Sequence, residues 1–440
     1  MHVLGARGGV VRLGWLWMGL VLAGASCSLT AGAGAAAGSP VTIRYMYWGG
    51  ENEQSAVNEL IRRFEAANPG IQVKPENTPY PEYGDKIPIL LASGAGPDVI
   101  MLPPYLLPSL AAAGALAPLD EFIARDTSFR LDDFVVPARS IFRVDGRLYA
   151  LPREFGPYVL FYNRTMFTQK GLTEPDASWT WETMVAAGHK LTEDRDGDGQ
   201  MDRYALGGVG WINHYLPFVW QAGGEVVEAK TRQVLIDSPA SVRGLQFYAD
   251  LMLKERINPT YDELLRGRVN IEEWFASDRL AMSYNSRIAV GFYNQFKDLD
   301  YDVALLPKGP VSRAMLVDPA AIAIVAGTRQ PEAAWRFFKW LVGPEAARLM
   351  STRNLLVPAL LSVVRSEAFV NPDVPPRHDL VFVEAMQYGR TVPLIPEWNE
   401  VSGVIGQGML PVLRGQAGAA QATTQMASRI KQILSRPVRK

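Results

Sequence analysis

Cysteine occurs once in 440 residues, at Cys27, and histidine only four times, at His2, His189, His214 and His378. One thiol excludes a disulfide framework and any Cys-based zinc or iron–sulfur centre. The scattered histidines form neither HExxH nor another paired-ligand spacing, which argues against a metalloenzyme. An excess of one charge is also missing. The 44 basic residues stand against 45 acidic ones, a net −1, so the electrostatic footprint of a nucleic-acid binder is absent. There is no GxxxxGK[ST] phosphate loop, no GxGxxG opening a helix and no GxSxG elbow. Carboxylates are plentiful, and a glycosidase-type pair stays open because its separation of roughly 5–9 Å is spatial, not sequential. Long apolar runs are absent beyond the N-terminal segment, whereas a membrane-spanning helix needs about 20 apolar residues. What remains is an ordinary globular composition, 48% hydrophobic and 20% charged, in a chain long enough for two or three domains.

The chain opens with an address. Arg7 and Arg12 precede an apolar run from Leu13 to Ala25 and then small residues, the layout of an export signal over residues 1–26. Such a run is too short to cross ~30 Å of hydrocarbon comfortably. Cys27, directly after it, resembles the acylated cysteine of a bacterial lipoprotein. The preceding Gly24-Ala25-Ser26 departs from the usual signal, which has Leu three residues before the cysteine. Cleavage at Ala31-Gly32-Ala33 or Ala35-Ala36-Ala37 is the alternative. Residues 27–40, rich in Ala, Gly and Ser, read as a flexible tether. Membrane contact is then limited to a lipid anchor, and removal of Arg7 and Arg12 takes the net charge to −3.

Val41–Trp48 is β-branched and aromatic and ends at Gly49-Gly50, which predicts a buried strand. Val57, Leu60, Ile61 and Phe64 have helical spacing, and Asn68-Pro69-Gly70 stops that helix. Ile71–Lys74 alternates as a second strand, Ile87–Ala92 is a helix, and Asp98–Leu102 is a third strand. Strands alternating with helices over short breaks imply a parallel, doubly wound α/β sheet. Ligands bind such sheets beyond the carboxyl ends of their strands, which singles out Trp48 and the loop Pro103-Pro104-Tyr105. Further on, Tyr158–Tyr162 and Tyr204–Val209 are strand-like. Trp181–Leu191, Ser241–Leu253, Glu332–Leu341 and Gln421–Leu434 are amphipathic helices.

Aromatic placement stands out. Trp48, Trp211, Trp274 and Trp398 fall at strand ends or loops, where a flat ring can meet the C–H face of a sugar. Glu51, Asn213, Asn285 and Arg287 lie nearby and have the chemistry to bond vicinal hydroxyls. Trp335 and Trp340, at helical spacing, read as core, and Asp98 as a structural loop cap.

Several segments, taken in order, carry a specific resemblance. They are FEAANPGIQV (Phe64–Val73), Leu91–Val99 with its Gly-x-Gly-Pro-Asp-Val ending, GRLYALP (Gly146–Pro152), LFYN (Leu160–Asn163), WTWETM (Trp179–Met184), FASDRLAM (Phe275–Met282), LLPKGP (Leu305–Pro310) and AWRFFKWL (Ala334–Leu341). Together they make the chain similar to the family 1 extracellular solute-binding proteins of ABC importers, the group containing maltodextrin-binding protein. That resemblance implies a periplasmic-binding-protein-like fold, with two doubly wound α/β lobes joined by a multi-segment hinge and a ligand cleft between them. It places lobe one at 41–155 plus 311–357 and lobe two at 156–310 plus 358–440. The crossings are expected near Phe155–Pro157, Leu306–Pro310 and Leu356–Ala359. It also implies a monomer without catalysis, exported to the periplasm or cell surface. Its solute is released to membrane permease subunits after hinge closure.

Residue by residue, the resemblance assigns ligand contact to Trp48, Glu51, Tyr105, Arg153, Glu154, Gly156, Trp211, Asn213, Asn285, Arg287, Asp318 and Trp398. Asp318-Pro319 and Ser286-Arg287 depart from the small-residue turns usual at those positions. A neutral di- or oligosaccharide is the expected solute. Arg153 and Arg287 keep a glycerol phosphate or other anionic polyol as the alternative, with a secreted carbohydrate-active enzyme behind it.

Asp194, Asp196, Asp198 and Asp202 sit in a D-x-D-x-D-G-x-x-D stretch with Gly199 at position six, the pattern of a calcium loop. Position twelve is Ala205 instead of the bidentate glutamate, so a polar turn is the competing reading. No cofactor is expected, and structural calcium is the only candidate ion.

Overall fold

A computed structural model describes residues 40–208, 212–266 and 270–436. The export signal, Cys27 and most of the tether lie outside the described residues, as does Trp211.

The opening strand Val41–Tyr47 pairs in parallel with Ile71–Asn77 on one side and Val99–Leu102 on the other. It enters helix Glu51–Ala67 through Gly49, whose φ of 153° suits glycine and where a Cβ would collide with Glu53. The helix buries Ala56, Val57, Leu60, Ile61 and Phe64, one stripe at three- and four-residue spacing. Ile71–Asn77 is an edge strand, which is why it accommodates Pro75. It runs three residues beyond the expected Lys74, because proline in the interior reads locally as a strand end.

The parallel reading holds for these three strands, but the sheet as a whole is mixed. The ten-residue strand Met315–Ile324 enters antiparallel to Val99–Leu102 and also pairs antiparallel with Ala150–Pro157. Val357–Pro358 extends the sheet beyond Ala150–Pro157, and Gly389–Arg390 pairs with Met315–Leu316. The second sheet has the order Tyr301–Ala304, Val159–Asn163, Leu280–Asn285, Tyr204–Gly207. Val159–Asn163 is antiparallel to both neighbours, and Tyr204–Gly207 is parallel to Leu280–Asn285.

The chain passes from the first sheet to the second at Tyr158, and returns between Ala304 and Met315. The return is pinned by buried Arg313, which donates to the carbonyls of Leu306, Trp179 and Ala177. Gln221 Nε2 adds a bond to the Ala314 carbonyl at 2.9 Å. Val357 and Pro358 are paired within the first sheet. The following chain meets the second sheet's layer at helix Leu380–Ala385, where Phe382 packs on Phe161.

Helices cover both sheets. Against the second sheet, Ile212–Gln221 and Pro239–Leu253 approach closely at Gly244, where a Cβ would overlap the Phe218 carbonyl. Trp398–Leu413 and Ala419–Leu434 pack together to close the chain. Among the described residues no helix is long and apolar enough to cross a membrane.

Candidate functional site

The two inner strands of the first sheet set the floor of a cavity. Asp318 lies opposite Gly156 and Ala320 opposite Glu154 in the antiparallel register. Each carboxylate therefore faces a residue with little or no side chain, and the two acids sit diagonally on one face of the sheet. A side chain at Gly156 would fill the space directly above Asp318, since even its Cβ would come within 3.1 Å of the Asp318 carbonyl oxygen.

The cavity of about 130 Å³ above this floor is walled by Trp48, Tyr80, Pro103 and Pro104 from the first sheet's strand ends. Tyr158 lines it from the first crossing, and Ser286, Arg287 and Ile288 from beyond the second sheet. The larger groove along Thr42, Asp98 and Val325 lies elsewhere and is lined by none of the expected ligand residues.

The aromatic wall is braced from behind. Trp48 packs edge-to-face with Tyr80 (5.3 Å between centroids) and Tyr83 (4.9 Å). The Tyr83 hydroxyl is fixed at the carbonyls of Met46 and Met101. Tyr158 is held by Asn213, whose Nδ2 donates to its hydroxyl at 3.2 Å.

Asp318 is the only position of its ten-residue strand that is not buried, and it opens into the cavity. Protein surrounds it on the other sides, and this poor hydration pushes its carboxyl up to about 6. No donor or cation from the described residues meets that carboxylate. Glu154 is different: its Oε2 accepts from Arg153 Nε at 2.7 Å, and Arg153 Nη2 reaches Glu53 at 2.5 Å. Burial raises the Glu154 carboxyl above the usual glutamate range, with Arg153 pulling it down and Glu53 pushing it up.

Of the expected ligand residues, Trp48, Glu154, Gly156, Arg287 and Asp318 line the cavity. Arg153 does not. It is 2% exposed beneath the floor, as counterion to Glu53 and Glu154. Glu51 is exposed on the first turn of its helix. Tyr105 is buried beside Gly84 and hydrogen-bonds Asn399. Asn213 stands behind Tyr158. Asn285 is spent on Glu272 (2.7 Å) and the Ser286 amide (2.8 Å). Trp398 is buried at the start of its helix, and Trp274 lies under Arg279. Asp98 caps as expected, accepting from the Arg44 amide and the Thr328 hydroxyl.

Tyr80 and Tyr158 were not foreseen. Tyr80 follows the carboxyl end of Ile71–Asn77 and obeys the same strand-end rule as Trp48. It lies outside the sequence expectation because Pro75 reads locally as a strand end, which places that end at Lys74 instead of Asn77.

In the acidic loop, carboxylate oxygens of Asp194, Asp196 and Asp202 come within 4.8 Å of one another. Backbone amides close the turns: Gly197 and Gly199 donate to Asp194, Asp198 to Asp196, Gln200 to Asp198 and Arg195 to Asp202. The loop is thus held by its own polar turns, far from the cavity residues in sequence and absent from its lining.

Residues 48–348 match the family model of the bacterial extracellular solute-binding proteins. The chain belongs to that family. Among curated relatives, the maltotriose-binding protein of Pyrococcus abyssi is 26% identical over 81% of this chain and 75% of its own length. The galactooligosaccharide-binding protein of Bacillus subtilis is 21% identical over 87% and 88%. Among solved structures, an ABC substrate-binding protein from Listeria monocytogenes in complex with cycloalternan has a TM-score of 0.80. That structure is 22% identical and covers 90% of this chain and 100% of its own. The maltose/maltodextrin-binding domain of Bdellovibrio bacteriovorus bound to maltotriose has a TM-score of 0.74 at 22% identity, with the same coverage. The fold of this solute-binding protein is accordingly the two-lobed α/β one, with a cleft between lobes and several hinge segments.

The Asp318 environment has a measurable consequence for the solute-free binding protein. A carboxyl raised from about 3.9 to about 6 on folding favours the folded state when protonated. That stabilisation is complete below about pH 4 and is lost as pH rises through 6. The melting temperature of the wild type, minus that of Asp318→Asn, is expected to fall between pH 4 and 7 and to level off above. A difference that stays flat across this range would show that Asp318 ionises normally.

Proposed function

We propose that this chain is the solute-capturing component of an ABC importer and that its solute is a di- or oligosaccharide. The observation that carries the reading is one cavity in which Trp48, Tyr80 and Tyr158 stand over the carboxylates of Glu154 and Asp318. Rings present flat apolar faces to sugar C–H groups, while carboxylates accept from vicinal hydroxyls. The names of the relatives, which bind maltotriose and galactooligosaccharides, support the same class.

Residues 41–155 with 311–357 form one lobe, and 156–310 with 358–440 the other. The short returns at Pro358 and Gly389–Arg390 belong to the hinge region. A solute touching Asp318 on one side and the Tyr158 and Ser286–Ile288 walls on the other stabilises the closed arrangement. Permease subunits in the membrane then read that shape. The protein works as an exported monomer, lipid-anchored through Cys27, and binds its sugar without converting it.

Arg287 weighs against the anionic alternative. Its guanidinium is already paired with Asp379 and bonded to Asn354 and Phe369, so it offers a phosphate little free charge. Calorimetry and thermal shift over disaccharides, maltodextrins, xylo-oligosaccharides and glycerol phosphates test the proposal. Saturable binding of at least one saccharide is expected, with the sugar recovered intact after overnight incubation. Binding of a phosphorylated polyol alone, or turnover of the sugar, would overturn it.

A further inference from the structure

The cavity is short of positive charge. Its lining holds Glu154 and Asp318 against one cation, Arg287, and that cation is neutralised by Asp379. Arg153, under the floor, is shared between Glu53 and Glu154. Together these are four carboxylates around two guanidiniums, with Asp318 alone lacking any protein partner among the described residues. Glu154 commits Oε2 to Arg153, which leaves Oε1 without a donor among the described residues.

A neutral hydroxyl hydrogen-bonds to such an oxygen but leaves the imbalance of charge in place. A protonated amine removes it. An ammonium carries three donors and reaches carboxylates at about 2.7–2.9 Å; two acids on diagonal positions of a strand pair, their Cα atoms about 7–8 Å apart, have side chains long enough to converge on one such group. The rings of Trp48, Tyr80 and Tyr158 also attract a cation through their negative faces, so the apolar wall and the acidic floor favour the same group.

We propose that the solute is an amino-substituted saccharide, its protonated amine held over the floor by Asp318 and Glu154 between the aromatic walls. This rests on the saccharide reading above and narrows it to a cationic sugar.

The test uses the full-length exported protein and matched probes. These are α-1,4- and β-1,4-linked disaccharides of 2-amino-2-deoxyglucose, each beside its N-acetyl and its 2-hydroxy counterpart, measured by calorimetry at pH 7. The free amine is expected to bind at least tenfold more tightly than either neutral counterpart. That ratio should shrink in 0.5 M salt, and fall to within threefold in Asp318→Asn. Circular dichroism of the variant confirms that it is folded. Equal or tighter binding of the neutral counterparts overturns the amine assignment and leaves the saccharide reading standing. Absence of binding by every saccharide in the wider panel overturns both.

Discussion

Arg287→Ala is expected to lower folding stability by about 3–5 kcal/mol, because it strands the buried carboxylate of Asp379. Arg287 is 3% exposed. Besides pairing with Asp379, its Nη2 donates to Asn354 Oδ1 and to the Phe369 carbonyl, each at 3.2 Å. Its guanidinium also lies 4.3 Å from the Phe369 ring centroid. One side chain thus ties the segment after strand Leu280–Asn285 to the residues following helix Pro344–Thr352 and to the stretch that leads into helix Leu380–Ala385. The diagnostic comparison is the double variant Arg287→Leu with Asp379→Leu. Removing both charges leaves no orphan, so its loss in denaturant unfolding should be smaller than that of either single change. Equal losses in the single and double variants would mean that packing, not the uncompensated charge, sets the cost.

Trp48→Ala is expected to weaken saccharide binding by about 30- to 150-fold while leaving a folded protein, since an aromatic anchor at the centre of a site costs on the order of 2–3 kcal/mol. Trp48 is half-buried, and its two packing partners, Tyr80 and Tyr83, belong to the neighbouring helix. Truncation therefore removes the wall and loosens Tyr80 as well. Trp48→Phe, which keeps a smaller flat face, should recover most of the loss. An unchanged dissociation constant for Trp48→Ala, measured by calorimetry with the best saccharide of the panel, would remove this wall from the site.

The strand-end rule located one side of the cavity from sequence, because in a parallel βαβ unit the ligand-facing end of a strand is also its last few residues in the chain. Trp48, Pro103 and Pro104 were legible for that reason. Tyr80 obeys the same rule but was hidden by Pro75, whose edge position cannot be read locally. Trp398 lies outside the cavity lining, and its place is illegible for the opposite reason: an aromatic at a helix start has the same local signature whether it faces a ligand or, as here, the core. Arg153 and Arg287 carried charge that looked available for an anion. What neutralises them comes from Glu53 and Asp379, 100 and 92 positions away in the chain.

The sequence by itself carried the alternation of strands and helices and the solute-binding family, and, as expectations, an export address and the lack of nucleotide and nucleic-acid chemistry. All of these depend on composition, local periodicity or motif order. Only the tertiary structure decided which acids remain available. The pairing of Met315–Ile324 with Ala150–Pro157 sets Gly156 against Asp318 and Ala320 against Glu154, and buries Arg153 below them. Whether a charge is free is a property of what surrounds it in space. Here those surroundings come from strands separated by more than 150 residues.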